Sequence, residues 1–497
     1  MALTNDSPEA NGHSNDTTSS SDSIPATQLL VDFIANTNTT DLTYELREKV
    51  KEVLLDFIGV TVGAITHADS TQPILSAITA LQGPSVTKTT PGVCSVLGLG
   101  APRFLPHYAG LLNAALGHSL DFDDTYAPGT LHAGVTAIAA ALACFESLAA
   151  EGQQRSTDLF MLAIGVGYEV TCRLGRELGY EAYSRGFHNT STAGIFGAIA
   201  AIAVLKHLPV QTITMAFGLA GSKAAGSMQY LANGSWNKRL HPGFAVHDAF
   251  LCVALAEAGV VGATQIIEGK SGFLNAYTPN PNVSLRRLVG RLGEQWCWLT
   301  SSLKPYPACR MTHGFIELSG KLHDGIMSST EVGILSADAV TSIQLKMTPA
   351  NFMLVGDPTW NKRHPSNVID AQFSAYFQVA NALVYGAKTG DMEPYSRLAD
   401  KTIYAVSEKI TVVTDKSMSQ FGASMAIIWA DDETDEVTQQ YPLGEVEHPF
   451  TKDKVEEKFF SLADPVYGRD KASQIVKAVA ALDAQQGSVT PLIEMLK

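Results

Sequence analysis

From Asp41 onward, Leu42, Leu46, Val50, Val53, Leu54, Phe57 and Ile58 recur at helical spacing, while Glu45, Arg47, Glu48, Lys49 and Lys51 fall on the other side. The pattern predicts an amphipathic helix with one buried stripe. Further on, segments rich in Ala, Gly, Leu and Ile alternate with turn clusters, at 108–120, 135–150, 159–178, 193–206, 213–231 and 244–259. Small residues at helical spacing let helix axes approach closely, so these segments predict a compact multi-helix core. After about Trp298 the period changes. Ile343, Leu345 and Met347 alternate with polar neighbours over 341–347, and 410–414 and 425–429 read as further strands. An acidic turn over 430–436 would lead to a return at 437–441. A helix is expected over 370–385, and amphipathic helices over 452–460 and 472–482 need a core to cover.

The fold class expected is therefore mainly α: a large all-helical domain with a smaller inserted α+β lid domain. The expected divisions are a disordered tail at 1–25, a helical domain at 26–298, the lid domain at 299–445, and helices at 446–497 that return to the helical domain. The tail is rich in Ser, Asn, Thr and Asp and has no Lys or Arg, unlike a signal peptide or a mitochondrial presequence. The longest apolar run, 193–205, is short for a membrane span. No membrane association is expected.

The 45% apolar fraction is ample for a large core. A formal net charge of -14 argues against a general nucleic-acid surface but leaves room for a locally cationic pocket. Six cysteines without CxxC pairs point to a reducing compartment, and a cytoplasmic location is expected.

Familiar chemical motifs fail. In 262–271 the first glycine of a phosphate-binding loop would have to stand at Thr264. No GxGxxG follows a convincing strand, no GxSxG occurs, and neither a calcium loop nor HExxH is present. What remains is four clusters. The first, 118–134, sets His118, Asp121, Asp123, Asp124, Thr125 and His132 beside a turn. If the helix begun near Tyr108 continues, His118, Asp121, Asp124 and Thr125 share a face, with carboxylates at the unfavourable end of its dipole. The second places His188 before the hydroxyl run Thr190, Ser191 and Thr192, where one of these caps the next helix or the helix start attracts a carboxylate. The third gathers Lys238, Arg239 and His241 before an apolar helix. The fourth spaces Lys304, Tyr306, Cys309, Arg310 and His313 with two prolines. Cys309 reads as packing, since no thiolate-stabilising partner can be placed. Together the clusters, with no metal or nucleotide motif among them, point to acid/base chemistry on an anionic acid.

On DFDDT at 121–125 with His132, GFH at 186–188, KRLHPG at 238–243 and KPYPACRMTH at 304–313, the chain resembles the MmgE/PrpD family from about Ala26 to Lys497. The resemblance implies a helical domain and a lid domain, a homodimer, and a pocket between the domains that works without cofactor. Asp121, Thr125, His132 and His188 would form the catalytic set, with Lys238 and Lys304 holding substrate carboxylates, and His241 and Arg310 are added as substrate-binding candidates. Cys309 departs from the histidine of mammalian-type decarboxylases and matches the fungal type. The expected activity is a carbon lyase of citrate-type or aconitate-type acids, foremost decarboxylation of a cis-aconitate-like acid. The alternatives are dehydration of 2-methylcitrate or a longer 2-alkylcitrate, epimerisation of a dicarboxylic or polycarboxylic acid, and a noncatalytic polycarboxylate-binding protein.

Overall fold

The computed structural model describes residues 24–83, 92–100, 102–328, 334–483 and 489–497. The expected tail lies outside the described residues except for Ile24 and Pro25. The chain is mainly α-helical, as its periodicity predicts. Among the described residues the longer helices of the first part are α1 (Ala26–Asn36), α2 (Tyr44–His67), α3 (Thr71–Gln82), α4 (Pro106–Ser119), α5 (Gly134–Ala150), α6 (Thr157–Ser184), α7 (Asn189–Lys206), α8 (Val210–Ala220) and α9 (Asn237–Glu257). Helix α7 is the hub, packed by α1, α5, α6, α8 and α9. Glycine and alanine make the close approaches possible. A Cβ at Gly197 would stand 2.5 Å from the Gly167 carbonyl oxygen, so α6 and α7 meet backbone to backbone.

Several boundaries differ from the sequence reading, each for a local reason. Helix α4 ends at Ser119, and Asp121 takes a left-handed φ of 52°, so 120–125 is a loop and the proposed shared helical face does not exist. The segment 213–231 is helical only to Ala220, where Gly221, Ser222 and Gly226 break it before a short 3-10 turn. Helix α7 starts at Asn189, ahead of the apolar run, and is long and apolar enough to cross a membrane by length and composition. Neighbouring helices bury every residue of it except Lys206. Helix α9 starts at Asn237, so Lys238, Arg239 and His241 sit on its first turns rather than in a surface turn.

The second hydrophobic cluster surrounds a four-stranded sheet in the order Ile410–Thr414, Val340–Met347, Ala423–Trp429, Thr434–Gln439. The first pair is parallel and the others antiparallel. The last strand begins inside the acidic segment expected to be a turn, where Asp435 and Glu436 occupy an exposed edge and discourage further strand addition. Helices His313–Met327 and Ala375–Tyr385 pack on each other, and the first also packs on the sheet. The helix expected over 370–385 is interrupted at Phe373 because Ser374 caps the following turn, its Oγ accepting from Phe377 N at 2.9 Å.

Leu303 belongs to the helical core, whereas Cys309 to Ile427 supply the second cluster, and from Val455 to Leu496 the buried residues rejoin the helical core. Helix Lys452–Tyr467 lies along α2, and Arg469–Ala480 follows it. Gly197→Ala is expected to destabilise the protein by about 1–3 kcal/mol through overpacking. Gly325→Ala, on an exposed helical site with nothing within 4 Å of the added Cβ, should stabilise by about 1 kcal/mol. Denaturant unfolding of the two variants checks the contrast.

Candidate active site

Where the helical core meets the second cluster, a cavity of about 530 Å³ receives residues from all four clusters. Asp121, Thr125, His132, His188, Lys238, Lys304, Cys309 and Arg310 line it. The loop after α4 explains how so many polar groups enter. Aspartate tolerates the left-handed conformation at Asp121 better than most residues, and the reversal sends successive carboxylates to different partners.

Asp121 accepts from the Lys238 ammonium, and Lys304 Nζ stands 3.2 Å from its Oδ1 while donating to its backbone carbonyl. All three residues are buried. Burial alone would raise the Asp121 carboxyl, but the two ammonium groups outweigh it and hold the pKa below the usual carboxylate range. Burial pulls Lys304 down, against the pull of Asp121. One carboxylate faces two lysines, which leaves excess positive charge for an anionic ligand. Thr125 is fixed by paired backbone bonds with Ser302, each 2.8 Å, and its buried hydroxyl has no partner among the described residues.

Asp123 serves the histidines. Its Oδ2 is 2.8 Å from His118 Nδ1 and its Oδ1 is 3.1 Å from His132 Nδ1. Burial would raise this carboxyl too, but both imidazoles bring it well below its ordinary value. With Nδ1 facing Asp123, His132 turns Nε2 toward Asp121 Oδ1, 3.8 Å away, among the lysines. The His132 backbone N–H donates to Thr190 Oγ1 at 3.0 Å, so the hydroxyl run at the start of α7 orients the preceding loop instead of capping the helix. His188 lies at the head of α7 with its Nδ1 3.0 Å from His241 Nδ1, and burial holds it well below the usual imidazole range. His118 and His241 are each lowered to about 4, chiefly by burial.

The remaining candidates are placed differently. His241 does not line the cavity but backs His188. Arg310 reaches the cavity wall with its guanidinium committed to Glu445 (Nε to Oε1 2.6 Å), to Ser302 Oγ at 3.1 Å and to the Phe421 ring, 4.0 Å from its centroid. Arg239 ties α9 to Asp69 and Ser70. Burial pushes the Cys309 thiol up to about 11, so it meets the cavity as a neutral group. His118, Asp123 and His132 offer three donors within 4.8 Å of one another, the residues best placed to hold a divalent ion. His118 Nδ1 and Asp123 Oδ2, however, are hydrogen-bonded to each other at 2.8 Å rather than held apart around a centre.

Sequence reasoning missed the wall contributed by the second cluster, including Asn351, Leu354, Phe373, Met418 and Phe421. It also missed a buried charge pair behind the loop. Lys458 Nζ, from helix Lys452–Tyr467, is 2.6 Å from Asp56 Oδ1 and donates to the Phe122 carbonyl at 2.8 Å. A signal existed: Lys458 sits on the stripe of Val455, Phe459 and Leu462, and Asp56 interrupts an apolar run on α2.

Asp124 is the third carboxyl of the loop. Its Oδ1 accepts from Gly134 N at 3.0 Å, where a Cβ on residue 134 would intrude to 2.5 Å. Burial, with the charges of Asp123 and Asp56, pushes it up to about 8. The folded state therefore keeps this proton while the unfolded chain releases it, and stability falls as pH rises from about 4 to 8. Asp124→Asn retains an acceptor for Gly134 and should flatten that slope, with equal or higher stability at pH 8, as followed by thermal unfolding across pH.

Known proteins match this chain along its length. The MmgE/PrpD N-terminal domain matches residues 28–286 and the C-terminal domain residues 306–484. A cis-aconitate decarboxylase-like protein of Aspergillus oryzae is 25% identical, covering 100% of this chain and 99% of its own. A cis-aconitate decarboxylase of Aspergillus terreus is 26% identical over 93% of this chain and 94% of its own, and that of Homo sapiens is 24% identical over 89% and 88%. The chain, whose cavity collects the four segments that carry the family's pattern, belongs to the MmgE/PrpD family.

Proposed function

We propose that this protein is a carbon lyase that decarboxylates a cis-aconitate-like polycarboxylic acid without a cofactor. Family membership and the names of the curated relatives support the lyase class. The observation that carries the finer reading is the convergence of Lys238, Lys304, Thr125 and His132 on one partly enclosed cavity. A substrate carboxylate settles against the lysines, where Asp121 leaves positive charge unspent. The C–C bond to a second carboxylate breaks, carbon dioxide departs, and the electron pair stays on carbon in conjugation with a remaining carboxylate. The buried lysines stabilise that charge. His132 Nε2 supplies the proton that closes the new C–H bond, and Asp123 at Nδ1 fixes the ring. His188, held neutral and tied to His241, positions the substrate from the other side.

A specific observation also favours an alkyl-substituted substrate. Leu354, Phe373, Met311, Met418 and Phe421 face the same cavity, more apolar wall than a bare tricarboxylate can use. Dehydration of a 2-alkylcitrate would draw on the same lysines and histidines, with His132 as acid or base. A homodimer belongs to the proposal, supported by exposed Phe244, Leu251 and Leu255 in line on one face of α9. A cytoplasmic setting fits six free cysteines.

Offering the purified protein cis-aconitate, 2-methylcitrate and longer 2-alkyl analogues, with products identified by mass, should reveal loss of carbon dioxide from the unsaturated acid. Loss of water from the citrates instead would select the dehydratase reading. His132→Gln is expected to lower turnover by about a hundredfold to ten-thousandfold, and Lys238→Ala to weaken substrate binding. No turnover of any polycarboxylate, together with unchanged ligand binding by Lys238→Ala, would sink the proposal and leave a different role for the cavity. Light scattering of the parent and of Leu251→Glu checks the dimer, which the variant should dissociate.

A further inference from the structure

The Asp121–Asp124 loop is held from behind by a residue that never reaches the cavity. Lys458 is buried, and its ammonium has three neighbours: Asp56 Oδ1 at 2.6 Å, the Phe122 carbonyl oxygen at 2.8 Å, and the face of the Phe122 ring at 3.9 Å from its centroid. Phe122 lies between Asp121, which meets the lysines, and Asp123, which meets His118 and His132. The Phe122 carbonyl lies in the peptide plane that joins Phe122 to Asp123, so fixing it orients the backbone from which the Asp123 carboxylate leaves, while the preceding plane is held by Lys304 at the Asp121 carbonyl.

We infer that Lys458 is a positioning residue: its bond to the Phe122 carbonyl sets the reach of Asp123 to His132, and thereby the aim of His132 Nε2 into the cavity. Asp56 has a separate task, to keep the buried ammonium in place. The inference rests on the reading of His132 as the proton-transfer group, but its geometric content does not depend on which acid is the substrate.

Two substitutions separate these tasks. Asp56→Asn removes the acid and leaves Lys458 able to donate to the carbonyl, since a neutral amine still carries N–H groups. Lys458→Met removes the donor at similar length. Breaking one side of a buried pair destabilises either variant, so the double variant Asp56→Asn/Lys458→Met, which leaves no orphaned charge, completes the set. The full-length proteins are compared by thermal unfolding, by turnover of whichever polycarboxylate the parent accepts, and by proton NMR of the substrate-free protein. The ring resonance of His132 reports the contact of its Nδ1 with Asp123 Oδ1, 3.1 Å away, and is the one His132→Gln removes.

The expected result is that Lys458→Met and the double variant lose or shift the His132 resonance and lose turnover by about tenfold to a hundredfold, as misaimed catalytic groups do. Their KM should move by less than about threefold, and the double variant should recover stability without recovering turnover. Asp56→Asn keeps the resonance and most of the turnover despite a lower melting temperature. A stable double variant with the parental resonance and parental kcat would overturn the inference, as would Asp56→Asn matching Lys458→Met in the loss. If the parent turns over no polycarboxylate, the NMR comparison still decides whether Lys458 sets the Asp123–His132 contact, so failure of the proposed reaction and failure of the positioning role are read separately.

Discussion

Three carboxyl groups within four residues, all buried, repel one another and resist desolvation, and the rest of the site is arranged around making them tolerable. Each is made tolerable by a different device. Asp121 is answered by two lysines from separate segments, Asp123 by two imidazoles, and Asp124 by holding its own proton beside the Gly134 N–H. The loop could not fold into the protein without these partners, and the partners are the groups that chemistry on an anionic acid requires. Stability and function thus draw on the same contacts here.

Much of this was readable in the chain. The stripe on α2 and the small-residue helices gave the core their pattern, and the turn-flanked clusters carrying Asp121, His132, His188, Lys238 and Lys304 do meet in one cavity. What periodicity could not convey was direction at the breaks. A helix running through Asp121 and one ending at Ser119 have the same composition, and only a left-handed residue decides between them. The apolar wall was hidden for another reason. Phe373, Leu354 and Phe421 are ordinary hydrophobic residues in the sequence, and become cavity residues only through the cap at Ser374 and the bond from Asn351 Nδ2 to the Gln420 carbonyl. Arg310 lines the cavity as its place in the fourth cluster suggests, but its partners are not legible in the sequence. Here Glu445 takes the guanidinium, and the arginine joins the two stretches of chain that pass between the cores.

The division of labour between those cores follows from their chemistry. The helical core supplies nearly all the titratable groups, on or beside closely packed helices that hold them with little freedom. The part of the chain that carries the sheet supplies mostly apolar and amide side chains, among them Asn351, Gln420 and Phe421, from the segments that follow Val340–Met347 and precede Ala423–Trp429. Such an arrangement sets the ionic groups on the helical side and leaves the surface that meets the remainder of a ligand to mostly uncharged side chains.

Phe122 and Lys458 are separated by 336 residues of chain. During synthesis the acidic loop leaves the ribosome long before the lysine that braces it, and α2 emerges with Asp56 earlier still. A nascent chain therefore carries Asp56 without its buried partner, and the Phe122 carbonyl without its brace, long after Lys238 and Lys304 have emerged to meet Asp121. The last brace of the site is thus set by helix Lys452–Tyr467, and a product that stopped short of it would keep the partners of the loop acids but leave Asp56 seeking water in the core.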